Sequence, residues 1–495
     1  MTDILHVSLK VSTSVIFFQF ALALASALVL GGCQTASSVS DEYVNTVAED
    51  QYVAGVAKTS IVFVIDGLSI ENFRLALSSN RIPEIANFFH LSNRRGFRIG
   101  RASFPSLTYP NLTSILTGQT TAAHPITGNR IFLDNKVVNF ESVLSWKTLD
   151  SLVANQLIFK QLTDRGETSV SFSYPFPGGA SAHLEKTIGM GLNYLEKDFA
   201  AIDLGVLASL KILLEKSEAV QWPRFIFVHL IGVDSLSHEY GPDSSRVQSH
   251  LNKIDSRLAQ IFRLLRSKGG GGHYTDAVLT ADHGFVKTNY KVPLAEVVEK
   301  LQTKIRVLSD NRVTSLYVNP SLSDQDRRDL ATGLLLIPHI SWSILKKLNS
   351  LELYHVSGLR AKIDLAPANC QSGQWAARFR WLHPRPRNIA EREAPYFCPE
   401  DFDRVSTLRD ETFLVPALTE FFSSPTSPDL IALPDQESDF SGEYRGNHGG
   451  LTKSEMLVPL LTRNVNLPEG VIPTSRLIEF LRLLKAPTET ENSGR

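Results

Sequence analysis

TSIVFVIDG, residues 59–67, is a continuous apolar run that ends in Asp66 and Gly67. Such a run predicts a β-strand that is buried on both faces, as in parallel sheets. Helical stretches separate it from similar runs at residues 169–174, 224–231, 276–280 and 429–433. Because strands alternate with helices, we predict an α/β protein with a mostly parallel, doubly wound sheet. Functional sites in such sheets form beyond the carboxyl ends of the strands.

The helical stretches are recognised by their spacing. In the longest one, residues 245–265, one face carries apolar residues at helical intervals, namely Val247, Leu251, Ile254, Leu258, Ile261 and Leu265. Such a pattern predicts an amphipathic helix that packs on the sheet. Further helices are predicted at residues 199–216, 411–422 and 476–484.

The organisation of the chain changes after residue 304. From Ile305 to Asp410 the chain becomes richer in short strands, Pro and Arg. Its 495 residues exceed an ordinary single core. We therefore predict a catalytic core at residues 58–304 and 411–487, an inserted cap-like subdomain at residues 305–410 that covers the site, and a frayed tail at residues 488–495. A net charge of -1 does not indicate a nucleic-acid polymer as partner, and a small substrate needs only local charge.

The amino terminus resembles an export signal. A weakly basic start precedes an apolar run at residues 15–30, and the LGGC ending closes on Cys33. This ending resembles a bacterial lipobox, so we predict a signal peptide at residues 1–33, lipidation of Cys33 and a polar tether at residues 34–57. Gln34 favours a lipoprotein that is anchored in the outer membrane and faces the periplasm. An uncleaved membrane anchor and an incidental cysteine remain alternatives.

The cysteine content agrees with export. The chain has three cysteines, and lipidation of Cys33 would leave Cys370 and Cys398 as a pair. In an oxidising compartment such a pair can form a disulfide, and two buried free thiols are the alternative.

Acidic and histidine residues gather at the ends of the predicted strands. Asp66 ends the first strand, and the others are Asp234 and His238 in GVDSLSHEYGP, Asp282 and His283 in LTADHG, and His448 in GNHGG. Carboxylate and imidazole are the ligands of zinc and related divalent ions. An isolated Asp at such a place is commonly a turn residue, and an isolated His is commonly a core or surface residue. Their joint occurrence at strand ends predicts a metal site.

A hydroxyl nucleophile is predicted in SFPSLTYPNLTSILTG, residues 103–118. Pro110 suits the first turn of a helix, and Gly118 suits its end. Thr108 is therefore placed near a helix N-terminus, where unpaired amides favour a phosphoryl group. Helix capping by Thr108 is the alternative reading, and Ser106 is the rival nucleophile.

Together these motifs resemble the type I phosphodiesterase/nucleotide pyrophosphatase family of the alkaline phosphatase superfamily. The resemblance runs from about Ile61 to Leu461. It implies an alkaline phosphatase-like three-layer α/β/α sandwich and two divalent metal ions, typically zinc. The site residues that it implies are Asp234, His238 and His448 for one zinc, and Asp66, Asp282, His283 and Thr108 for the other. Asn111 would donate a hydrogen bond to a phosphoryl oxygen.

The resemblance also implies an activity. This activity is hydrolysis of phosphodiester or pyrophosphate-diester bonds in a small phosphate ester, through a covalent phosphothreonine at Thr108. Three departures from the family pattern leave the substrate open: Leu107 stands where Lys is common, and Pro125 and Ser237 stand where Gly is common. Leu107 removes a positive charge from beside the nucleophile. A phosphomonoesterase or phosphonate hydrolase is therefore an alternative, as is a non-catalytic envelope lipoprotein with a vestigial metal site.

Two further histidines are interpreted as structural. His229 lies inside the strand at residues 224–231 and is predicted to be a core residue rather than a ligand. His124 follows the nucleophile helix, and the resemblance gives it a supporting role near the site. A basic and aromatic cluster at residues 375–387 is interpreted as a solvated loop, with contact to an anionic substrate or lipid head group as the alternative.

Overall fold

The computed structural model describes residues 59–93, 96–142, 145–172, 178–184, 198–268, 275–294, 305–370, 373–383, 398, 414–442 and 444–484. The predicted signal peptide, Cys33, the tether and the tail lie outside these residues. No helix in the described segments is both long and apolar enough to cross a membrane.

The strands of the described segments are numbered in chain order. They are β1 (Thr59–Ile65), β2 (Phe97–Arg101), β3 (Arg130–Leu133), β4 (Lys136–Asn139), β5 (Ser169–Phe172), β6 (Ala182–Leu184), β7 (Phe225–Leu230), β8 (Thr275–Thr280), β9 (Val286–Lys287), β10 (Tyr290–Lys291), β11 (Ile305–Asp310), β12 (Val313–Val318), β13 (Ile340–Lys347), β14 (Ser350–His355), β15 (Arg360–Cys370), β16 (Gly373–His383), β17 (Leu430–Pro434), β18 (Ser438–Asp439), β19 (Gly446–Asn447), β20 (Leu457–Arg463) and β21 (Val471–Pro473).

The helices are numbered in the same way. They are α1 (Ile70–Ser78), α2 (Pro83–Phe88), α3 (Thr108–Thr117), α4 (Trp146–Val153), α5 (Ile158–Thr163), α6 (Phe199–Lys216), α7 (Gly232–Tyr240), α8 (Ser245–Ser267), α9 (Asp324–Leu334), α10 (Leu414–Ser423), α11 (Lys453–Met456) and α12 (Leu477–Phe480). Short 3₁₀ turns occupy Leu91–Asn93, Ala154–Gln156, Ala219–Gln221 and Thr474–Arg476. The helix predicted at residues 476–484 is therefore shorter than expected.

The central sheet of the described segments has the strand order β21-β2-β20-β8-β1-β7-β5-β6. Strand β1 lies between β7 and β8 and is parallel to both. Strand β20 is antiparallel to its neighbours β2 and β8. The predicted fold class, an α/β protein with a mostly parallel sheet, is confirmed.

The side chains of β1 alternate between the two faces of the sheet. Ile61, Phe63 and Ile65 belong to one core, which also contains residues of α1, α2, α6 and α8. Val62 and Val64 belong to the other core, which contains residues of α3, α5 and α12. Because successive side chains of a strand point to opposite faces, an apolar run with no polar alternation requires helices on both sides. The result is a three-layer α/β/α arrangement.

Helix α8 shows how the sequence determines this packing. The Ser244 side chain caps the helix by accepting a hydrogen bond from the Val247 amide. All six apolar positions of the predicted face are buried. Phe262 joins them and stacks on Phe88, with ring centroids 3.9 Å apart and an interplanar angle of 4°. Aromatic burial of this kind is a large part of the packing energy.

A second sheet is antiparallel and has the order β11-β12-β17-β13-β14-β15-β16. The run at residues 429–433 was expected to resemble the parallel strands of the core, and this expectation is wrong. Strand β17 forms there but pairs antiparallel with β12 and β13. Its faces are covered by two separate cores, so it has the same uninterrupted apolar pattern as a buried parallel strand. The second sheet therefore uses residues on both sides of the predicted boundary at residue 410.

The second sheet carries a disulfide and a buried link to the central sheet. Cys370, at the end of β15, is bonded to Cys398, with Cα atoms 5.4 Å apart. Arg101 of β2 forms an ion pair with Glu420 of α10, and both side chains are buried. Residues 384–397 and 399–413 of the predicted insertion lie outside the described residues.

Phe262→Ala is expected to lower the free energy of unfolding by about 3–5 kcal/mol, because it removes a buried aromatic ring and leaves a cavity. Leu348→Ala is the control, since Leu348 is 92% exposed, and its effect should stay within about 0.5 kcal/mol. Chemical denaturation followed by circular dichroism measures both. Equal effects of the two substitutions would contradict this assignment of the core.

Candidate active site

Three neighbouring parallel strands bring the predicted ligands together. Asp66 follows β1, Asp282 and His283 follow β8, and α7, which carries Asp234 and His238, follows β7. Because β8, β1 and β7 are adjacent and parallel, their carboxyl ends meet at one edge of the sheet. The sixth ligand, His448, arrives from the segment after β19.

The ligand atoms form two overlapping groups. Asp66, Asp282 and His283 form one group, and Asp234, His283 and His448 form the other; within each group the ligand atoms lie within 4.8 Å of one another. His283 Nε2 is 3.4 Å from an oxygen of Asp66 and 3.4 Å from an oxygen of Asp282. His448 Nε2 is 3.6 Å from Asp234 Oδ1. The arrangement thus places His283 between the two groups.

His238 lies beside the second group. Its Nε2 is 3.7 Å from Asp234 Oδ2, and its ring centroid is 5.1 Å from that of His448. The spacing of four residues in α7 places Asp234 and His238 on one face of the helix. The structure therefore brings together all six protein ligands that the sequence predicts.

Three buried carboxylate oxygens show that the cluster fits cations. Asp66 Oδ1, Asp234 Oδ1 and Asp282 Oδ2 have no hydrogen-bond partner among the described residues. A buried carboxylate oxygen without a partner is costly, and a bound cation removes that cost. Three carboxylates with three imidazoles are a suitable donor set for two divalent ions such as zinc.

Backbone carbonyls orient the three histidine ligands. The Nδ1 atoms of His238, His283 and His448 donate to the carbonyl oxygens of Gly446, Gly284 and Ser106, at 3.0, 3.2 and 2.9 Å respectively. A carbonyl oxygen can only accept, so Nδ1 carries the proton and Nε2 keeps its lone pair. Each Nε2 is therefore ready to bind a metal.

Burial keeps these histidines neutral. It lowers the pKa of His238 to about 4 and the pKa of His283 to about 3. It also lowers the pKa of His448 well below its usual value, with the neighbouring His283 and His238 as further causes. Neutral imidazole is the form that binds metals.

Burial has the opposite effect on the carboxylates. It raises the pKa of Asp66 well above its usual value, and repulsion from Asp282 and Asp234 adds to the shift. The pKa of Asp234 is raised by burial and then by Asp282. Burial also raises the pKa of Asp282 to about 6. Carboxylates this close favour protons unless a cation compensates their charge.

Thr108 is the first residue of α3 and lies next to the ligands. The residue before it, Leu107, is in an extended conformation and makes no side-chain capping bond. Thr108 Oγ1 is 3.2 Å from His283 Nε2. Because Thr108 is inside the first turn and does not cap the helix, its hydroxyl faces the cluster at a helix N-terminus.

Ser106, the rival nucleophile, is fully buried. Its hydroxyl donates to the carbonyl oxygen of Gly450 at 2.8 Å and accepts from the amide of Gly449 at 3.1 Å. Its carbonyl oxygen accepts from His448. Ser106 therefore joins the nucleophile loop to the His448 loop, and its hydroxyl is not available for attack.

Asn111 does not occupy the position that the resemblance implies. It is fully buried, and its Oδ1 accepts from the amide of Ser103 at 2.6 Å. Its Nδ2 lies within hydrogen-bond distance of the carbonyl oxygens of Ser103, Pro105 and Leu107. Both ends of the amide therefore hold the 103–107 loop, and neither is directed to a phosphoryl oxygen.

Asn129 is an amide side chain that the sequence did not single out. Its Oδ1 accepts from the amide of Tyr109 at 3.3 Å, beside the nucleophile. Its Nδ2 donates to Glu141 at 3.2 Å. The contact between Asn129 and the start of α3 is tertiary, so no local pattern around Thr108 could have revealed it.

Leu107 also differs from expectation. The sequence suggested that it removes a positive charge from beside the nucleophile. Its side chain is fully buried in a core that it shares with Phe104 and with residues of the second sheet. A side chain on Gly449, which has a φ of +115°, would approach Leu107 to 3.1 Å. This position therefore contributes to packing between the two sheets.

Buried polar residues support the ligands. His229 Nε2 is 2.8 Å from Asp66 Oδ2, so this histidine is a core residue that also holds a ligand. Asp203 of α6 accepts from the amides of Ile231 and Gly232 at 2.7 and 3.0 Å and binds His250 Nε2 at 2.7 Å. It thus satisfies the free amides at the start of α7. Asp203 lies inside α6 and follows no strand, so its sequence context does not mark it.

His124 has the supporting place that the resemblance implies. It is fully buried, and its Nε2 lies 2.9 Å from the hydroxyl of Ser114 in α3. Its Nδ1 accepts from the amide of Ile126, so Nε2 carries the proton and donates to Ser114. This bond links His124 to α3.

Comparison with known proteins gives one family match. Residues 60–357 match the sequence profile of the type I phosphodiesterase / nucleotide pyrophosphatase family. The chain is 24% identical to human ectonucleotide pyrophosphatase/phosphodiesterase family member 1 over 261 residues. This alignment covers 52% of this chain and 27% of the human protein. The chain is 31% identical over 86 residues to alkaline phosphatase PafA of Elizabethkingia meningoseptica, and this alignment covers 16% of each protein. These two matches thus span 27% and 16% of the relatives' own lengths.

Solved structures share the fold. Phosphonoacetate hydrolase of Sinorhizobium meliloti, in complex with phosphonoformate, superposes with a TM-score of 0.53 and 16% identity over 86% of this chain and 95% of that one. Murine ectonucleotide pyrophosphatase/phosphodiesterase 5 gives a TM-score of 0.54 and 15% identity over 87% of this chain and 96% of that one.

Zinc binding is expected to weaken as the pH falls through about 6, because protons then compete with the metal for Asp282, whose pKa lies at about 6. The histidines stay neutral to about pH 4 and cannot cause this loss. Titration calorimetry at pH 5, 6 and 7.5 in buffers of different ionisation enthalpy measures the affinity and the protons released.

In the metal-free protein these carboxylates contribute stability that is lost as the pH rises, since the folded carboxylates hold protons that the unfolded chain has lost. The buried histidines contribute the opposite trend below pH 6.5, because the unfolded chain binds protons there that the folded histidines do not. A zinc affinity that is constant from pH 5 to 7.5 would contradict the electrostatics described above.

Proposed function

The chain belongs to the type I phosphodiesterase / nucleotide pyrophosphatase family, and from this membership we propose that it hydrolyses phosphodiester or pyrophosphate-diester bonds through a covalent phosphothreonine at Thr108. One observation carries the proposal. Thr108 Oγ1 lies 3.2 Å from His283 Nε2, where the two groups of ligands overlap. A hydroxyl at a helix N-terminus beside such a cluster suits attack on a phosphorus atom.

The reaction proceeds in two displacements. In the first, the Thr108 hydroxyl loses its proton to solvent and its oxygen forms a bond to phosphorus. The ester P–O bond breaks, and its electron pair leaves with the departing oxygen, which takes up a proton. In the second, water attacks the phosphorus, the bond to Thr108 breaks, and the threonine recovers its hydroxyl proton. The positive N-terminal end of the α3 dipole favours the negative oxygens of the phosphoryl group.

Two divalent cations, most suitably zinc, would complete this site. One cation would lie beside Thr108 and be held by Asp66, Asp282 and His283. The other would be held by Asp234, His238 and His448. When bound, the ions supply Lewis acidity that lowers the cost of negative charge on the attacking and leaving oxygens. The unpartnered carboxylate oxygens and the neutral histidines support this assignment.

The surroundings of the site favour a singly charged phosphorus group. Arg130 is paired with Asp310 at 2.7 Å, and Arg312 is paired with Glu455 at 2.8 Å. Because both guanidinium charges are compensated within the protein, neither provides an additional cation for the second charge of a phosphomonoester. Phosphonate hydrolysis is a second candidate, since a phosphonoacetate hydrolase has this fold.

We also propose that a lipid at Cys33 anchors the enzyme in the bacterial envelope, facing the periplasm on the outer membrane. The support is the apolar run at residues 15–30 followed by the LGGC ending. The polar stretch at residues 34–57 would then act as the tether.

Thr108→Ala is expected to reduce the turnover of bis-p-nitrophenyl phosphate by at least about a thousand-fold, because it removes the nucleophile. Its zinc content should be unchanged, since six other ligands remain. Release of p-nitrophenol and metal analysis provide the two readouts. Thr163→Ala, which removes a surface hydroxyl that donates to Gly179, is the matched control with normal turnover. Normal turnover in Thr108→Ala would refute the phosphothreonine.

A comparison of substrates tests the specificity. The zinc-loaded enzyme is expected to have a kcat/KM at least about ten-fold higher for bis-p-nitrophenyl phosphate than for p-nitrophenyl phosphate, since one charge rather than two needs compensation. The reverse order would indicate a phosphomonoesterase. Phosphate release from phosphonoacetate alone would indicate a phosphonate hydrolase. A protein that holds no zinc and cleaves none of the three would be the non-catalytic lipoprotein.

A further inference from the structure

A hairpin turn of the second sheet reaches the metal-ligand cluster. It joins β11 to β12 and consists of Asn311 and Arg312. The amide of Arg312 donates to the carbonyl oxygen of His448 at 3.1 Å, and the carbonyl oxygen of Asn311 accepts from the amide of Phe440 at 2.9 Å. The turn is therefore attached by its backbone to the loop that carries a ligand.

A buried ion pair fixes the turn further. Arg312 is 1% exposed and its Nε donates to Glu455 Oε1 at 2.8 Å. The same carboxylate oxygen accepts from the amide of Gly450 at 2.7 Å. Asn311 has a φ of +50°, a conformation that asparagine adopts more readily than most residues. The backbone of the turn is thus held rigidly, and the Asn311 side chain is the part that can respond to a ligand.

The Asn311 side chain contacts the ligand atom of His448. Its Nδ2 lies 3.2 Å from His448 Nε2. Because the Nδ1 of His448 donates to Ser106, this Nε2 has a lone pair, and the Asn311 amide donates to it. The same lone pair is the one that a metal in the Asp234 group requires. When it binds a metal, the Asn311 amide loses its acceptor while remaining at the edge of the site, partly exposed.

We infer that Asn311 contacts the substrate by donating a hydrogen bond to an oxygen of the phosphorus group at the Asp234–His448 side of the cluster. This inference rests on the function proposed above. The structure thereby assigns to the second sheet a direct part in recognising the phosphorus group.

The charge of the turn indicates the class of substrate. Asp310 is paired with Arg130, and Arg312 is paired with Glu455, so the turn offers a neutral donor and no uncompensated charge. A neutral amide recognises an oxygen without favouring a second negative charge. The turn therefore suits a phosphodiester monoanion better than a phosphomonoester dianion.

Binding of bis-p-nitrophenyl phosphate to the zinc-loaded Thr108→Ala protein tests the inference, since this variant holds the diester without cleaving it. Adding Asn311→Gly is expected to weaken binding about ten- to a hundred-fold, as the loss of a hydrogen bond to a charged group does. Glycine tolerates the positive φ, so the turn should keep its backbone. Titration calorimetry measures the affinity, and metal analysis measures the zinc content.

Two further variants sharpen the experiment. Asn311→Asp keeps the size and the backbone preference but replaces the donor by a negative charge, so its binding of the diester should be weaker still. Asn135→Gly is the matched control, because Asn135 is an exposed asparagine with a φ of +64° in the β3–β4 hairpin turn. Its affinity for the diester should equal that of the parent protein.

Each outcome decides the matter. Weaker binding with unchanged zinc content supports the inference. Unchanged binding overturns it, and so does loss of zinc in Asn311→Gly, because Asn311 would then act through His448. If the zinc-loaded Thr108→Ala parent binds no diester at all, the proposed function fails and the inference fails with it.

Discussion

Repulsion among three closely spaced carboxylates is the constraint on which the rest of the structure depends. Asp66, Asp234 and Asp282 converge where three adjacent parallel strands end, and each leaves an oxygen without a partner among the described residues. Burial and mutual repulsion raise the pKa of Asp66 well above its usual value. Carboxylates gathered in this way take up protons unless a cation compensates their charge, so their position at the edge of the parallel sheet would favour metal binding.

The surrounding structure holds this unfavourable arrangement in place. Asp203 binds the first amides of α7, and His229 binds Asp66, so the ligands are fixed from behind by residues that cannot themselves reach a substrate. Glu455 links the loop after β19 to Arg312 of the second sheet. Residues of both sheets therefore hold His448 in position, although its motif lies far from the other cluster residues in the sequence. Rigid support of this kind is what positions ligands to within fractions of an ångström.

The strand ends and the six residues of the cluster could be predicted from the sequence, because a buried parallel strand has a distinctive apolar pattern and its carboxyl end has a defined place. The sheet to which a strand belongs and the direction in which a side chain points could not be predicted. Strand β17 is as apolar as β1 yet belongs to the antiparallel sheet, since burial on both faces gives the same pattern in either. Asn111 and Leu107 lie beside the nucleophile in sequence, but their side chains point into the loop and the core. The direction of a side chain depends on its contacts with distant segments, and a local motif does not contain these contacts.

His283 has a consequence for how the centre assembles. Its Nδ1 is committed to the carbonyl oxygen of Gly284, so a single lone pair, on Nε2, serves both groups of ligands. One lone pair cannot bind two ions at once. If His283 serves the Asp66 group, as proposed above, a different imidazole would complete the Asp234 group, and His238, whose Nε2 is 3.7 Å from Asp234, is placed to do so. The group that His283 serves would therefore determine which donor atoms remain for the other position.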